Sequence, residues 1–228
     1  MSRPLTVMLV AAEASGDNLG AGLARAIKDR VGVDNVRFVG VGGPRMAEQG
    51  VASPFDISDL SILGWIEGIR AYGRVKQRVR ETVELAVRER PDVAVLIDSW
   101  GFTIRVAKGL RAALPDLKIV KYVGPQVWAS RPGRARTLAA SVDHLMTLHG
   151  FDPPWFEKEG LATTFVGNPS LALDFSQADA GRFRREHGLE ADQPLLLVLP
   201  GSRPAEIARM TPEFEEAARQ LKVARADL

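Results

Sequence analysis

The sequence predicts an α/β fold, a doubly wound parallel sheet followed by a second, incomplete unit of the same kind. Three observations predict it. Apolar runs rich in Val, Leu and Ile alternate with longer segments whose apolar residues recur every third or fourth position, the signature of βαβ units. Gly, Pro and Asn punctuate the joins between them. The 228 residues, 46% hydrophobic and 25% charged, suffice to bury the core of about one and a half ordinary domains.

Leu5–Ala12 (LTVMLVAA) reads as a buried strand, followed by a turn at Glu13–Asp17 and a helix over Asn18–Arg30 with Leu19, Leu23 and Ile27 on one face. Val36–Val41 is a second strand, broken by Gly42, Gly43 and Pro44. Residues 51–60 look irregular, and 61–72 are apolar but interrupted by Gly64 and Gly68. Arg74–Arg90 is a helix, with Val75, Val79, Val83 and Val87 every fourth residue and Pro91 as its stop. Strand Val93–Asp98, helix Thr103–Leu114, strand Lys118–Val123 and helix Arg134–Val142 follow. Strand His144–Leu148, a short helix at Pro153–Glu159 and strand Thr163–Val166 complete the first unit.

Gly167-Asn168-Pro169 marks a boundary, which divides the chain into a domain over 1–169, a linker over 170–194 and the start of a second domain over 195–228. The linker carries a short charged helix at Asp179–His187, closed by Gly188. Leu195–Leu199 reads as a fresh strand, and Thr211 as the cap of a last helix with Pro212 in its first position. A lone βα unit leaves its apolar strand without neighbours, so the expectation is that the second domain continues beyond residue 228.

Composition excludes several function classes. With no cysteine there is no disulfide framework, zinc–thiolate site or cysteine nucleophile. The net charge of +2 is a mild bias, and the few aromatics are not interleaved with the cations, so nucleic acid is not an expected partner. No export signal precedes Leu5–Ala12, and no apolar run approaches the roughly 20 residues of a membrane-spanning helix. A cytoplasmic protein is expected. Neither a D-x-D sequence, nor a metal-spaced pair among His144, His149 and His187, nor a G-x-S-x-G elbow is present, so no metal and no hydrolase triad are expected. G-x-G-x-x-G is absent too, which argues against a dinucleotide cofactor.

Three turns carry candidate chemistry. A-A-E-A-S-G-D follows the first strand, where open α/β sheets bind ligands; Ser15, Gly16 and the helix start then face a polar substrate, or Asp17 merely caps the helix. Asp98 ends the strand VAVLID at the sheet's carboxyl edge, a position suited to a general base, to a helix cap or to an arginine partner. In P-G-S-R (200–203), Gly201 permits close backbone approach and Arg203 with the helix amides can bind a diphosphate, although an ordinary βα turn has the same form. A fourth feature is a surface: Leu63, Trp65, Ile66, Ile69 and Tyr72 beside Arg70, Arg74, Lys76, Arg78 and Arg80. It suits an anionic lipid interface, or a core-facing helix with a solvated basic face.

The strings A-E-A-S-G-D (12–17), F-V-G-V-G-G-P-R-M (38–46), L-G-W-I-E-G-I (63–69), P-D-V-A-V-L-I-D (91–98), Y-V-G-P-Q-V-W-A (122–129) and L-P-G-S-R-x-x-E (199–206) occur in order. Together they closely resemble the lipid-A-disaccharide synthases, bacterial inverting glycosyltransferases. The resemblance spans essentially the whole chain, as the N-terminal domain and the first βα unit of the C-terminal one. It implies two facing Rossmann-like domains, the glycosyltransferase-B arrangement. It implies transfer of the sugar of UDP-2,3-diacylglucosamine to 2,3-diacylglucosamine 1-phosphate (lipid X), without metal or other cofactor. The alternatives are a UDP-sugar epimerase of the same fold and a fragment that only binds ligand.

By this resemblance Asp98 takes the proton of the acceptor 6-hydroxyl as that oxygen attacks the anomeric carbon. Glu13, Ser15, Gly16, Asp17, Glu67 and Gln126 bind substrate. Gly201, Ser202, Arg203 and Glu206 meet the UDP diphosphate. Leu63, Trp65, Ile66 and Ile69 contact acyl chains at the cytoplasmic face of the inner membrane, and a homodimer forms through the C-terminal part. The chain departs from the family pattern at Trp100-Gly101-Phe102-Thr103, where a second acid is usual, at Asn168, where His is usual, and at Pro204, where a small residue is common.

Overall fold

The computed structural model describes residues 3–60, 68–172, 175–201 and 204–225. Two compact units divide the chain, Met1–Ala172 and Leu173–Leu228. In the first, strands β1 (Leu5–Val10), β2 (Val36–Val41), β3 (Val93–Ile97), β4 (Lys118–Tyr122), β5 (His144–Thr147) and β6 (Ala162–Phe165) alternate with helices. These are α1 (Ala14–Val31), α2 (Pro44–Ala47), α3 (Gly68–Glu89), α4 (Trp100–Ala113), α5 (Arg134–Ala139) and α6 (Pro153–Glu157). The second unit holds α7 (Ala180–Glu186) and α8 (Pro204–Ala224).

The six strands form one sheet in the order β2-β1-β3-β4-β5-β6. Every pairing is parallel, as near-continuous apolar strands require. The winding reverses between β1 and β3. One sheet face packs Met8, Val10, Leu96, Ile119 and Leu145 against Ala86, Val106, Leu110, Leu138 and Phe156 of the helices α3 to α6. The other packs Val7, Leu9, Val95 and Ile97 against Ala21 and Ala24 of α1. Small residues bring α1 close. A Cβ on Gly20 would lie 2.5 Å from Met46 Sδ and 3.0 Å from Ile97 Cδ1. Leu19, Leu23 and Ile27, the expected core stripe, therefore flank the contact and are only partly buried.

Four elements differ from the sequence reading. The expected turn at 13–17 is the first turn of α1, because Asp17 is held from outside the helix, as described below. The Gly-Gly-Pro breaker starts the short α2, with Pro44 in its first turn, where a missing N–H costs nothing. Helix α8 runs through Pro212 instead of restarting at Thr211. Residues 195–199 form no strand. In the second unit no described strand lies beside them, and Leu197 and Leu199 are 70% and 75% exposed; a parallel strand without a neighbour has no ladder to join. Among the described residues no helix is long and apolar enough to cross a membrane.

Candidate active site

Where the winding of an open α/β sheet reverses, the loops leaving two neighbouring strands part and open a crevice at their carboxyl ends. Here those strands are β1 and β3, and the residues leaving them are Glu13 and Asp98. Glu13 precedes α1 in extended conformation (φ −146°, ψ 160°) without capping it. Its carboxylate instead accepts a hydrogen bond from the Ser99 hydroxyl, at 3.4 Å, across the two strand ends. Ser15 is exposed in the first turn of α1. Gln126, exposed in the loop after β4, lies on the same carboxyl edge of the sheet.

Asp98 and Ser99 both sit in the left-handed region, with φ of 46° and 39°. Non-glycine residues held there cost on the order of 1–3 kcal/mol each and persist only where surroundings enforce them. The enforcing contacts are visible. The Asp98 amide donates to the Tyr122 carbonyl at 2.8 Å, continuing the β3–β4 ladder. The Asp98 carbonyl accepts from the Thr103 hydroxyl, at 2.8 Å, and from the Lys121 ammonium. Lys121 also donates to Thr103 Oγ1 at 2.9 Å. The backbone of Asp98 is thus tied down while its side chain stays half-buried, and no described residue hydrogen-bonds the carboxylate. A carboxylate so placed can accept a substrate hydroxyl. Val123, the residue after β4, is also left-handed (φ 71°), an outlier for a β-branched side chain. Strained backbone therefore gathers on this edge.

Asp17 and Gly16 make their contacts within the fold. Asp17 is buried, 2% exposed, and all of its visible bonding is to backbone. Its oxygens accept from the amides of Gly43 (2.8 Å), Arg45 (2.9 Å) and Met46 (3.0 Å). Those amides open α2, so Asp17 caps α2 rather than its own helix and pins the β2–α2 loop to α1. Gly43 is required beside it, since a Cβ there would stand 2.7 Å from Asp17 Oδ2. Gly16 faces the sheet, where a Cβ would meet Ala11 Cβ at 3.3 Å; its role is helix–sheet packing.

The basic stripe is also redistributed. Arg78 is drawn inward: it pairs with Asp59, bonds Glu81 at 2.6 Å, and lies 4.7 Å from the Phe55 ring centre. These carboxylates hold its guanidinium above its usual range. Arg80 pairs with Glu84 at 3.5 Å on the surface, and Arg74 is exposed. Leu63, Trp65, Ile66 and Glu67 lie outside the described residues, as do Ser202 and Arg203; Ile69 lies in α3, its side chain likewise outside. In the second unit Gly201 is left-handed (φ 121°), and Glu206 lies in the first turn of α8. Among the described residues no group of three or more His, Asp or Glu is placed to hold a metal ion.

Sequence reasoning missed Ser99, Thr103 and Lys121. Lys121 carried a readable signal: in KIVKY it shares the alternate, core-facing register of Ile119. It also missed an aromatic group on the same edge. Trp128 meets Phe151 edge-on with ring centres 5.5 Å apart, and His149 stacks on Phe151 at 5.1 Å. Burial raises the nearby Asp152 carboxyl above its usual range.

Residues 7–228 match the family model described as lipid-A-disaccharide synthetase. The chain belongs to that family. It is 43% identical over 212 residues to the lipid-A-disaccharide synthase of Rhodospirillum centenum, which covers 93% of this chain and 53% of that protein. It is 39% identical over 228 residues to the synthase of Pseudomonas syringae pv. tomato, covering 100% and 59%. The chain thus spans about half the length of the curated synthases it matches. Among solved structures it resembles a UDP-GlcNAc 2-epimerase from Neisseria meningitidis bound to UDP-GlcNAc, with a TM-score of 0.62 over 99% of this chain and 64% of that one. At 8% identity this likeness is one of fold alone.

Proposed function

We propose that this chain forms the acceptor side and the start of the donor side of a lipid-A-disaccharide synthase. The reaction joins UDP-2,3-diacylglucosamine to 2,3-diacylglucosamine 1-phosphate, giving a β-1,6-linked tetraacyl disaccharide 1-phosphate and UDP. Asp98 is the general base. Its carboxylate takes the proton of the acceptor 6-hydroxyl while that oxygen attacks the anomeric carbon. A single displacement inverts the centre and expels UDP. Glu13, Ser15 and Gln126, on the same carboxyl edge, orient the acceptor, whose correct placement lowers the barrier by prepaying orientation. Arg203 and the amides at the start of α8 take up the diphosphate charge. The basic face of α3, with Arg74 and Arg80, attaches the enzyme peripherally to an anionic membrane, where the acyl chains of both substrates reside.

One observation carries this reading: Asp98 is half-buried at the switch point, on backbone anchored by three hydrogen bonds, with a carboxylate that no described residue occupies. The test is Asp98→Asn in a full-length enzyme with this sequence as its N-terminal half. A base contributes about 10²–10⁴-fold, so turnover should fall by that factor while acceptor binding is kept. Undiminished turnover removes Asp98 from the mechanism.

A further inference from the structure

A lysine inside a parallel sheet is costly unless something holds it, and Lys121 is 2% exposed. Its register neighbours across the sheet are Leu96 on β3 and Leu145 on β5, both apolar. The polar groups it reaches are the Asp98 carbonyl and the Thr103 hydroxyl on α4, and Asp98 supplies the charge that acts on it. Nothing in the proposed chemistry uses Lys121 directly. Yet it grips Asp98, the first of two consecutive left-handed residues, neither of them glycine.

We propose that Lys121 is a positioning residue for Asp98: from beneath the sheet edge it binds the Asp98 carbonyl and, through Thr103, fixes the left-handed Asp98–Ser99 turn that presents the carboxylate to the acceptor. The inference rests on Asp98 being the base. The two contacts act together. The Thr103 hydroxyl accepts from Lys121 and donates to the Asp98 carbonyl, or to that of Ser99 at 3.0 Å, so one buried network sets both peptide planes. Burial brings the Lys121 ammonium down to about 7, with the Asp98 charge opposing that fall. An amine in either protonation state can donate to a carbonyl, so the grip outlasts the charge.

The first experiment needs no turnover. In the chain labelled with [13Cε]-lysine, the Lys121 signal is assigned by its loss in Lys121→Met and titrated by NMR. In Asp98→Asn the Lys121 midpoint should fall, because the opposing charge is gone; an unmoved midpoint overturns the link between the two residues. The second experiment uses the full-length enzyme. Misplacing a reacting group by about 1 Å costs up to about 10²-fold, so Lys121→Met should lower kcat roughly 10–10²-fold and leave the acceptor KM within about twofold. Thr103→Val, the milder variant, should lower kcat several-fold in the same pattern and carries the test if Lys121→Met does not fold. A folded variant with parental kcat, or one that changes KM alone, overturns the proposal. Full turnover in Asp98→Asn would instead remove the base, while the NMR titration still decides the Lys121–Asp98 link by itself.

Discussion

Replacing Asp17 with alanine separates two roles that its place in the A-E-A-S-G-D turn allows. A substrate ligand would be dispensable for folding. The carboxylate described above instead satisfies three amides of the Gly43–Met46 turn at 2.8–3.0 Å from a site only 2% exposed. Each buried donor left unpaired costs about 1–3 kcal/mol, and bonds to a charged acceptor lie at the stronger end. Three donors at the low end give about 3 kcal/mol; relaxation of the four-residue α2 and entry of water keep the total below about 5 kcal/mol. In a domain of this size about 1 kcal/mol moves Tm by roughly 2–4 °C, so the fall is roughly 6–20 °C. Asp17→Asn should fall in between, since it keeps one acceptor and turns an N–H toward an N–H. The assay is guanidinium unfolding followed by tryptophan fluorescence. Trp65, Trp100, Trp128 and Trp155 all lie in the first unit, so the signal reports that unit without the second. The midpoint should drop with little change in slope. An unchanged midpoint in Asp17→Ala, with acceptor binding lost, would refute the structural role and restore Asp17 to the ligand set.

Gly20→Ala should destabilise the chain by about 1–3 kcal/mol through overpacking against Met46 and Ile97, and Met46→Ala should cost less in the Gly20→Ala chain than in the parent; denaturation midpoints of the two single variants and the double variant check this. Stability should rise with pH between about 7 and 10.5, because the unfolded state holds the Lys121 proton across that window and the folded state has released it. The slope attributable to Lys121 approaches about 1.4 kcal/mol per pH unit and should vanish in Lys121→Met, measured as unfolding midpoint against pH. Binding to anionic vesicles should weaken with salt, and neutralising Arg74 and Arg80 should reduce the salt-sensitive part, at about 1 kcal/mol per cation. Arg78→Gln should leave vesicle binding unchanged and lower stability instead, since Arg78 is bound to Asp59 and Glu81. Co-sedimentation across a salt series, beside a melting curve, distinguishes the two.

The sequence by itself determined the layers of this fold. Continuous apolar strands such as VAVLI demand burial on both faces, and the intervening helical periods supply the cover, so a parallel doubly wound sheet follows without any contact being known. Asp98 was legible for the same reason: an acid closing an apolar strand marks the carboxyl edge. Tertiary structure decided what local pattern does not encode. The order β2-β1-β3 brings Glu13 to Ser99 across 86 residues of chain, and Asp17 finds its amides 26 to 29 residues away. Leu195–Leu199 has every local mark of a strand and forms none, because a strand is a property of its neighbours. Lys121 is polar in composition yet buried, since register and not residue type sets which way a strand side chain points, and only the folded sheet puts the Asp98 carbonyl where that ammonium can reach it.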